Sequence, residues 1–185
     1  MSSYGQIGIE HQSVKSTYIV SSAFSVPASA TTDFWQLAGS SSKTIKIEKI
    51  EVAYQSNDTG SLSTQAFLIV RSVANTLGAG PVTLTAVPTD SNSSAGSAVS
   101  KISAANPSSL GTAVGQVWAG SIMSSSSNTD YNINPNATTV IYQAPLVGEP
   151  LTLRGTAQSV CLNFNGVIPR GTSPVLAVTC TYTEE

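Results

Sequence analysis

Alternation of apolar and polar side chains along residues 43–54, KTIKIEKIEVAY, constrains the fold of this chain more than any other feature. Successive side chains of a β-strand point to opposite faces, so Ile45 and Ile47 lie on one face. The alternation then resumes one residue out of phase, and its second apolar set is Ile50, Val52 and Tyr54. A one-residue slip at Glu48 and Lys49 predicts a β-bulge, which keeps both apolar sets on one face of a bent strand.

Further short runs rich in Val, Ile and Thr are separated by turn-forming clusters such as SNDTG and NTLGAGP. We predict strands over residues 18–26, 64–72, 82–87, 114–122, 138–143, 151–154, 160–165 and 175–183. No segment carries the 3.6-residue period of an amphipathic helix. The fold class is therefore all-β: an antiparallel β-sandwich, jelly-roll-like, with an extended N-terminal arm and long polar loops.

The chain length of 185 residues fits one domain with one core. We predict a single β-sandwich domain over residues 33–185 and a separate N-terminal segment over residues 1–32. Apolar side chains are spaced along this polar segment, at Tyr4, Ile7, Ile9, Tyr18 and Phe24. That spacing suits an arm that adds a strand to a neighbouring subunit or fills its pockets. The alternative is an ordinary first strand with a frayed end.

Charged residues are scarce, at 10% of the chain, with a formal net charge of −2. The eight Lys and Arg form no basic run, which argues against binding to nucleic acid or to an anionic membrane surface. The sequence lacks both the apolar run needed to cross a bilayer and the basic start of a secretory signal, so we expect synthesis in the cytosol. Nearly uncharged surfaces lose little on desolvation, which suits contact with other proteins.

Few residues of the chain could carry out chemistry. The single histidine, His11, lies in the polar N-terminal stretch, where an exposed side chain is the commoner role. Cys161 and Cys180 lack the C-x-x-C spacing of a zinc or redox site, and the sequence has no nucleotide-binding, hydrolase or metalloprotease motif. We therefore expect no enzyme activity, no catalytic residue, no cofactor and no metal.

The alternation of apolar and polar residues in the last two predicted strands indicates which face of each strand carries its cysteine. In SVCLNFNG, Val160 and Leu162 share the apolar face, which leaves Cys161 on the opposite one. In VLAVTCTYTEE, Cys180 shares its face with apolar residues such as Leu176. We therefore expect Cys180 in the core, Cys161 facing away from it, and two free thiols, because this geometry disfavours a disulfide.

The tripeptide Arg-Gly-Thr occurs twice, at residues 154–156 and 170–172, each time shortly before a predicted strand. One interpretation is a receptor-type loop motif. A Gly-containing turn that recurs by chance is the favoured alternative, because Gly is among the commonest turn residues.

Four tracts of the chain resemble a known group of proteins. They are FWQLAGSSSKTIKIEKIEV, RSVANTLGAGPVTLTAVPTDSNSSAGSAV, NPSSLGTAVGQVWAG and PLTLRGTAQSVCLNFNGVIPRGTSPVLAVTCTYTEE. In matching order over residues 33–185, they resemble a group of small virion structural proteins of tailed bacteriophages, of the head-decoration or cement type. The most specific matches are RS-ANT, TAVP-DSN, NP--LGT-VG and the terminal TEE.

This resemblance implies a virion structural protein without enzyme activity. Such a protein is synthesised in the host cytoplasm and binds the major capsid protein at the capsid surface of the virion, where it stabilises the shell. The resemblance also implies self-association as a homotrimer. Residues 1–32 lie outside it, and it supplies no catalytic residue.

Two polar stretches are candidates for contact with the capsid or with other copies of the chain. Residues 84–111 predict a long loop without regular structure, and such loops are commonly functional. Residues 124–139 have the same character. The candidate interface residues in these stretches are Asp90, Asn92, Lys101, Asn106, Tyr131 and Asn134, and those in the N-terminal segment are Tyr4, Ile7, Ile9, Tyr18 and Phe24.

A function of a different class also fits the composition. A tail or fibre-associated knob would recognise a host-surface carbohydrate through shallow aromatic and polar patches, and the six Tyr and two Trp permit this. The number of copies per particle separates the two hypotheses, because a decoration protein is abundant and a tail knob is not.

Overall fold

A computed structural model describes residues 15–27, 33–56, 62–76, 78, 80–103, 105–126 and 138–185. Within these residues the chain forms strands and irregular connections, and no helix. The strands are β1 (Ser16–Ser21), β2 (Asp33–Ala38), β3 (Thr44–Ser56), β4 (Ser63–Val73), β5 (Val82–Leu84), β6 (Val87–Pro88), β7 (Val99–Ile102), β8 (Thr112–Met123), β9 (Ser125–Ser126), β10 (Thr138–Gln143), β11 (Leu151–Arg154), β12 (Ser159–Asn163) and β13 (Val175–Glu184).

The strands form two sheets that pack as a sandwich. The first sheet has the order β10-β3-β13-β1-β6, and β9 and β11 also pair with β3. The second sheet has the order β5-β7-β2-β12-β4-β8. Both sheets are antiparallel apart from a short parallel pair between β3 and β9. The predicted all-β antiparallel sandwich is therefore confirmed.

The predicted bulge in β3 is present at Glu48. Thr181 of β13 pairs with Lys49, and the next residue, Tyr182, pairs with Ile47, so Glu48 has no counterpart in the β13 ladder. The apolar sets on both sides of the slip are fully buried, namely Ile45, Ile47, Ile50, Val52 and Tyr54. The bulge thus lets one long strand keep a single apolar face while it bends across the core.

Both sheets contribute to one hydrophobic core. Strand β13 buries Leu176, Val178, Cys180 and Tyr182, as its alternation predicts. The second sheet supplies further core side chains, which include Leu37, Leu68, Val160, Leu162 and Phe164. Full burial of one such aliphatic side chain contributes about 1.5–3 kcal/mol, so this shared layer holds the two sheets together.

Strand β2, DFWQLA, was not among the predicted strands. Five of its six residues are buried on both faces of the second sheet, so its sequence lacks the alternation that marks a half-exposed strand. Trp35 faces the core side, where its indole N–H donates to Ser100 Oγ at 2.9 Å. Asp33 and Gln36 are buried on the opposite side, beneath the connection that follows β4.

Part of the predicted N-terminal arm is a strand of the domain. Ser16–Ser21 forms β1, which pairs with β13 on one side and with β6 on the other. The first-strand alternative is therefore correct for these residues. Residues 1–14 and 28–32 of the predicted arm lie outside the described residues.

The composition of residues 84–111 predicts a long loop without regular structure, and this prediction is wrong. The stretch contains short strands. Strand β7 within it pairs with β2 and β5, and β6 pairs with β1. Strands β5 and β6 lie at sheet edges, and β7 lies between β5 and β2 and buries Ile102 in the core. The long polar loop is thus divided between the two sheets.

Candidate interaction surface

The structure places six of the predicted interface residues. Phe24, just after β1, is 45% exposed, and Asp90, Asn92 and Asn106 are also exposed. Lys101 lies in β7 opposite Gln36 and is half-buried. The other predicted residues, Tyr4, Ile7, Ile9, Tyr131 and Asn134, lie outside the described part of the chain.

The prediction for Tyr18 needs correction. Its side chain is only 2% exposed and stacks on the ring of Tyr182, with centroids 5.4 Å apart. Its hydroxyl donates to the carbonyl oxygen of Ser94 at 3.1 Å. Successive side chains of β1 point to opposite faces, and Ile19 is on the exposed face. The Tyr18 ring therefore points into the core and is not available for contact with another protein.

Residues 89–98, here called the serine-rich segment, are bound by their own chain. The buried carboxylate of Glu184 accepts the N–H groups of Ser97 and Ala98 at 2.6 and 3.2 Å. It also accepts the Ser97 hydroxyl at 2.9 Å. Because hydrogen bonds to a charged acceptor are strong, one carboxylate holds the end of this segment against the first sheet.

A local turn orders the other end of the serine-rich segment. The carboxylate of Asp90 accepts the N–H of Asn92 at 2.9 Å, and its carbonyl accepts the N–H of Ser93 at 2.9 Å. Two of the predicted interface residues, Asp90 and Asn92, therefore have a structural role in this turn.

Residues 144–150, here called the apolar loop, connect β10 to β11 and present a very different surface. Leu146 is 104% exposed and Val147 is 92% exposed. The Ala144 N–H donates to the Glu48 carbonyl at 2.8 Å, and the Leu151 N–H donates to the Tyr142 hydroxyl at 2.7 Å. The loop is thus held at both ends, while its two apolar side chains project into solvent.

Strand β8 forms one edge of the second sheet. It pairs with β4, and within the described residues its other side has no ladder. Val114 and Val117 are 69% and 48% exposed, and the register with β4 skips both of them, which marks two bulges. Bulges twist an edge away from regular pairing, so this edge is protected against open-ended association despite its lack of charge.

A buried polar cluster lies on the outer side of the second sheet, and sequence analysis did not find it. Asp33 accepts the guanidinium of Arg71 at 2.9 and 3.0 Å. It also accepts the side-chain amides of Asn75 and Asn163, both at 2.6 Å. The Asn75 amide lies 3.7 Å from the Cys161 sulfur. This arrangement fastens the connection after β4 onto the sheet.

Burial and the neighbouring charge keep the thiol of the polar cluster protonated. Burial raises the pKa of the Cys161 thiol to about 12, and the charge of Asp33 adds to the increase. Burial lowers the pKa of the Arg71 guanidinium, but the hydrogen bond and charge of Asp33 outweigh this and leave it above its ordinary value. A thiol that stays protonated at neutral pH is a poor nucleophile, so Cys161 has a structural role.

The second cysteine is equally enclosed. Cys180 is fully buried in the core, and burial raises the pKa of its thiol. Both cysteines are free, as the alternation of the two strands predicts, with Cys161 among polar side chains and Cys180 among apolar ones. Among the described residues, no group of three His, Cys, Asp or Glu could hold a metal ion.

The apolar loop, Glu184 and the buried polar cluster had weak signals in the sequence. Leu146 and Val147 stand between two prolines in PLVGEP, a bracketed apolar pair without strand periodicity. Glu184 belongs to the terminal TEE, and Arg71 and Asn75 belong to the tract RSVANT. Both tracts carry the resemblance, but no local pattern in them indicates these structural roles.

Comparison with protein-family models, with curated proteins and with solved structures found no match to this chain. In the part of the chain that the structure describes, no helix is long and apolar enough to cross a membrane.

Proposed function

We propose that this chain is a structural protein of a tailed-bacteriophage virion, which decorates the capsid and stabilises the shell by binding the major capsid protein. In this proposal the protein acts as a homotrimer on the capsid surface, without enzyme activity, cofactor, nucleic acid or membrane. The tracts over residues 33–185 that resemble such proteins support it. The observation that carries it is the apolar loop, which holds Leu146 and Val147 fully in solvent.

The apolar loop supports a protein partner because it contributes nothing to the core of its own chain. Leu146 and Val147 are adjacent, and the hydrogen bonds at Ala144 and Leu151 hold the loop that carries them. These bonds fix the two ends of the loop, which reduces the ordering entropy lost on binding. Burial of the two side chains in a pocket of a neighbouring subunit would contribute about 3–6 kcal/mol.

The scarcity of charge supports the same partner class. Ion pairs on the described surface are few, for example Lys49 with Glu51 at 2.8 Å and Lys46 with Glu185 at 2.8 Å. Between them the outer face of the first sheet carries hydroxyl groups of threonines in β13, such as Thr179 and Thr181. Such a face can be covered by another protein without the large cost of desolvating charges.

We also propose that the sandwich is a jelly roll. The order of four strands in each sheet supports this. The first sheet contains β10-β3-β13-β1, and the second contains β2-β12-β4-β8. In both sheets the pairs are nested along the chain: β1 with β13, β2 with β12, β3 with β10 and β4 with β8. Jelly rolls occur in viral capsid proteins and in lectins, so this topology fits the proposal without deciding it.

A stained gel of intact virions tests the proposal directly. The band of this chain should be comparable in intensity with that of the major capsid protein, because a decoration protein covers the whole shell. Purified protein should also sediment with shells that lack it, and light scattering should give the mass of a trimer. A few copies per particle would instead favour the tail or fibre knob, and a monomer that ignores shells would contradict the proposal.

A further inference from the structure

A polar cavity of about 280 Å³ opens between the second sheet and the connection from β12 to β13. Its walls are Ser63, Thr64 and Gln65 at the start of β4, Ser121 of β8, and Val167 and Arg170 of that connection. Gln65 and Ser121 are direct partners in the β4–β8 ladder, so the sheet fixes two of the walls. This volume lies just below the usual range for drug-sized ligands, which suits a ligand the size of one sugar ring.

Arg170 is positioned by the core. The buried hydroxyl of Tyr54 donates a hydrogen bond to the carbonyl oxygen of Arg170, which ties the connection to the first sheet. The next residue, Gly171, has a φ of 112°, a left-handed conformation that glycine adopts without steric cost. The backbone at the cavity is therefore held, although the Arg170 side chain is exposed.

The polar groups that line the cavity have no partners in the described part of the chain. The hydroxyls of Ser63 and Ser121, the amide of Gln65 and the guanidinium of Arg170 make no side-chain hydrogen bond or ion pair there. The hydroxyl of Thr64 is also without a partner, and its residue is only 3% exposed. That hydroxyl lies on the core face of β4, in phase with Ala66 and Leu68, and does not reach the cavity. The polar groups open to a ligand are therefore those of Ser63, Gln65, Ser121 and Arg170.

We propose that this cavity binds a sugar carboxylate of the uronic-acid class. The planar fork of Arg170 matches a carboxylate, which it can bind in a bidentate way. The hydroxyls of Ser63 and Ser121 and the amide of Gln65 match the hydroxyl groups of the ring, since each of these groups can donate and accept. Val167 supplies an apolar wall for the C–H face of the ring. A simple inorganic anion would use the arginine and leave the other groups unpaired.

The two Arg-Gly-Thr sites provide a matched pair of variants. Both glycines have positive φ, at 79° for Gly155 and 112° for Gly171, so both sites are turns. Arg170 lines the cavity, whereas Arg154 is exposed at the end of β11 and does not. Arg154→Gln therefore removes the same charge from the same kind of turn without touching the proposed site. The inference is independent of capsid attachment, because none of its residues belongs to the apolar loop.

Calorimetric titration of the full chain with methyl glucuronide, methyl glucoside and acetate tests the proposal. We expect saturable binding of the glucuronide, and affinity for the glucoside or acetate that is weaker by roughly tenfold or more. Arg170→Gln should weaken glucuronide binding by a similar factor, and Arg154→Gln should leave it unchanged. Equal binding by the Arg170 and Arg154 variants, equal binding of acetate, or no saturable binding would each overturn the proposal.

Discussion

The serine-rich segment is hydrogen-bonded to the rest of its own chain, whereas the apolar side chains of the apolar loop contact solvent. The segment at residues 89–98 is polar, yet the Glu184 carboxylate and the Tyr18 hydroxyl hold it against the first sheet. The loop at residues 144–150 carries Leu146 and Val147 near its middle, and it leaves both side chains in solvent. Composition alone predicts the reverse, with polar residues outside and apolar ones inside.

The physical reason for this difference lies in what each region can reach. Hydroxyl and backbone N–H groups of the serine-rich segment find a buried carboxylate, and charged acceptors make strong hydrogen bonds. The apolar loop leaves the edge of the first sheet beside Glu48, where its pinned ends direct Leu146 and Val147 away from the core. Our proposal therefore places the partner on the exposed apolar side chains rather than on the polar segment.

The largest expected effect is on capsid binding, from the double substitution Leu146→Asp and Val147→Asp. If these side chains are buried in the shell, their loss should weaken binding on the order of a hundredfold or more. The melting temperature should not change, because neither side chain contacts the core. Co-sedimentation with shells measures the first quantity, and thermal unfolding measures the second.

Val82→Asp is the matched control for that variant. Val82, at the edge strand β5, is 56% exposed, so the substitution adds a charge to an exposed valine elsewhere. It should bind shells as the wild type does. If the Leu146 and Val147 double variant bound shells as the wild type does, the apolar loop would not be part of the capsid-binding surface. The apolar loop would then differ from the serine-rich segment in exposure but not in function.

A smaller effect, on stability, is expected from Glu184→Gln. The amide cannot replace both carboxylate oxygens at the Ser97 hydroxyl and at the Ser97 and Ala98 N–H groups. We expect a loss of about 1–3 kcal/mol in the free energy of unfolding. Hydrogen exchange at these two amides should become faster, and urea unfolding measures the change in stability.

The neighbouring residue provides the control for Glu184. Glu185 pairs with Lys46 at 2.8 Å and also with Lys15, near the surface. Glu185→Gln should therefore cost only about 0–1 kcal/mol, because exposed ion pairs contribute little. If both variants lost the same stability and the exchange rates stayed equal, the serine-rich segment would not be anchored by Glu184.

Strands with one buried and one solvated face were predictable from the sequence. The bounds predicted for β10 and β11 agree with the structure, and the phases of β3 and β13 are correct. In these strands burial on one face imposes alternation, which can be read without knowledge of the neighbours. Strand β2 was not predicted because both of its faces are buried, so its sequence does not alternate between apolar and polar residues.

The surface was harder to predict, because its contacts join residues that are far apart in the chain. Asp33 and Asn163 are 130 positions apart, and Ser97 and Glu184 are 87 apart. No local pattern encodes such a pair, since it depends on which strands the sheets bring together. For the same reason, neither the cavity beside Arg170 nor the exposure of Leu146 could be derived from spacing.

The last expected effect, also on stability, compares one glycine from each region. A Cβ at Gly96 would lie 2.6 Å from the Tyr182 hydroxyl and 3.1 Å from a ring carbon of Tyr18, so Gly96→Ala would push the serine-rich segment off two stacked core rings. We expect a loss of about 1–3 kcal/mol in the free energy of unfolding. At Gly148 the nearest atom to a new Cβ is 3.9 Å away, and the cost of Gly148→Ala arises only from its φ of 115°, at about 1 kcal/mol. Urea unfolding of the two variants measures both losses. If Gly96→Ala lowered the free energy of unfolding by less than Gly148→Ala, the serine-rich segment would not be packed against the core. The two regions would then not differ in how they contact the domain.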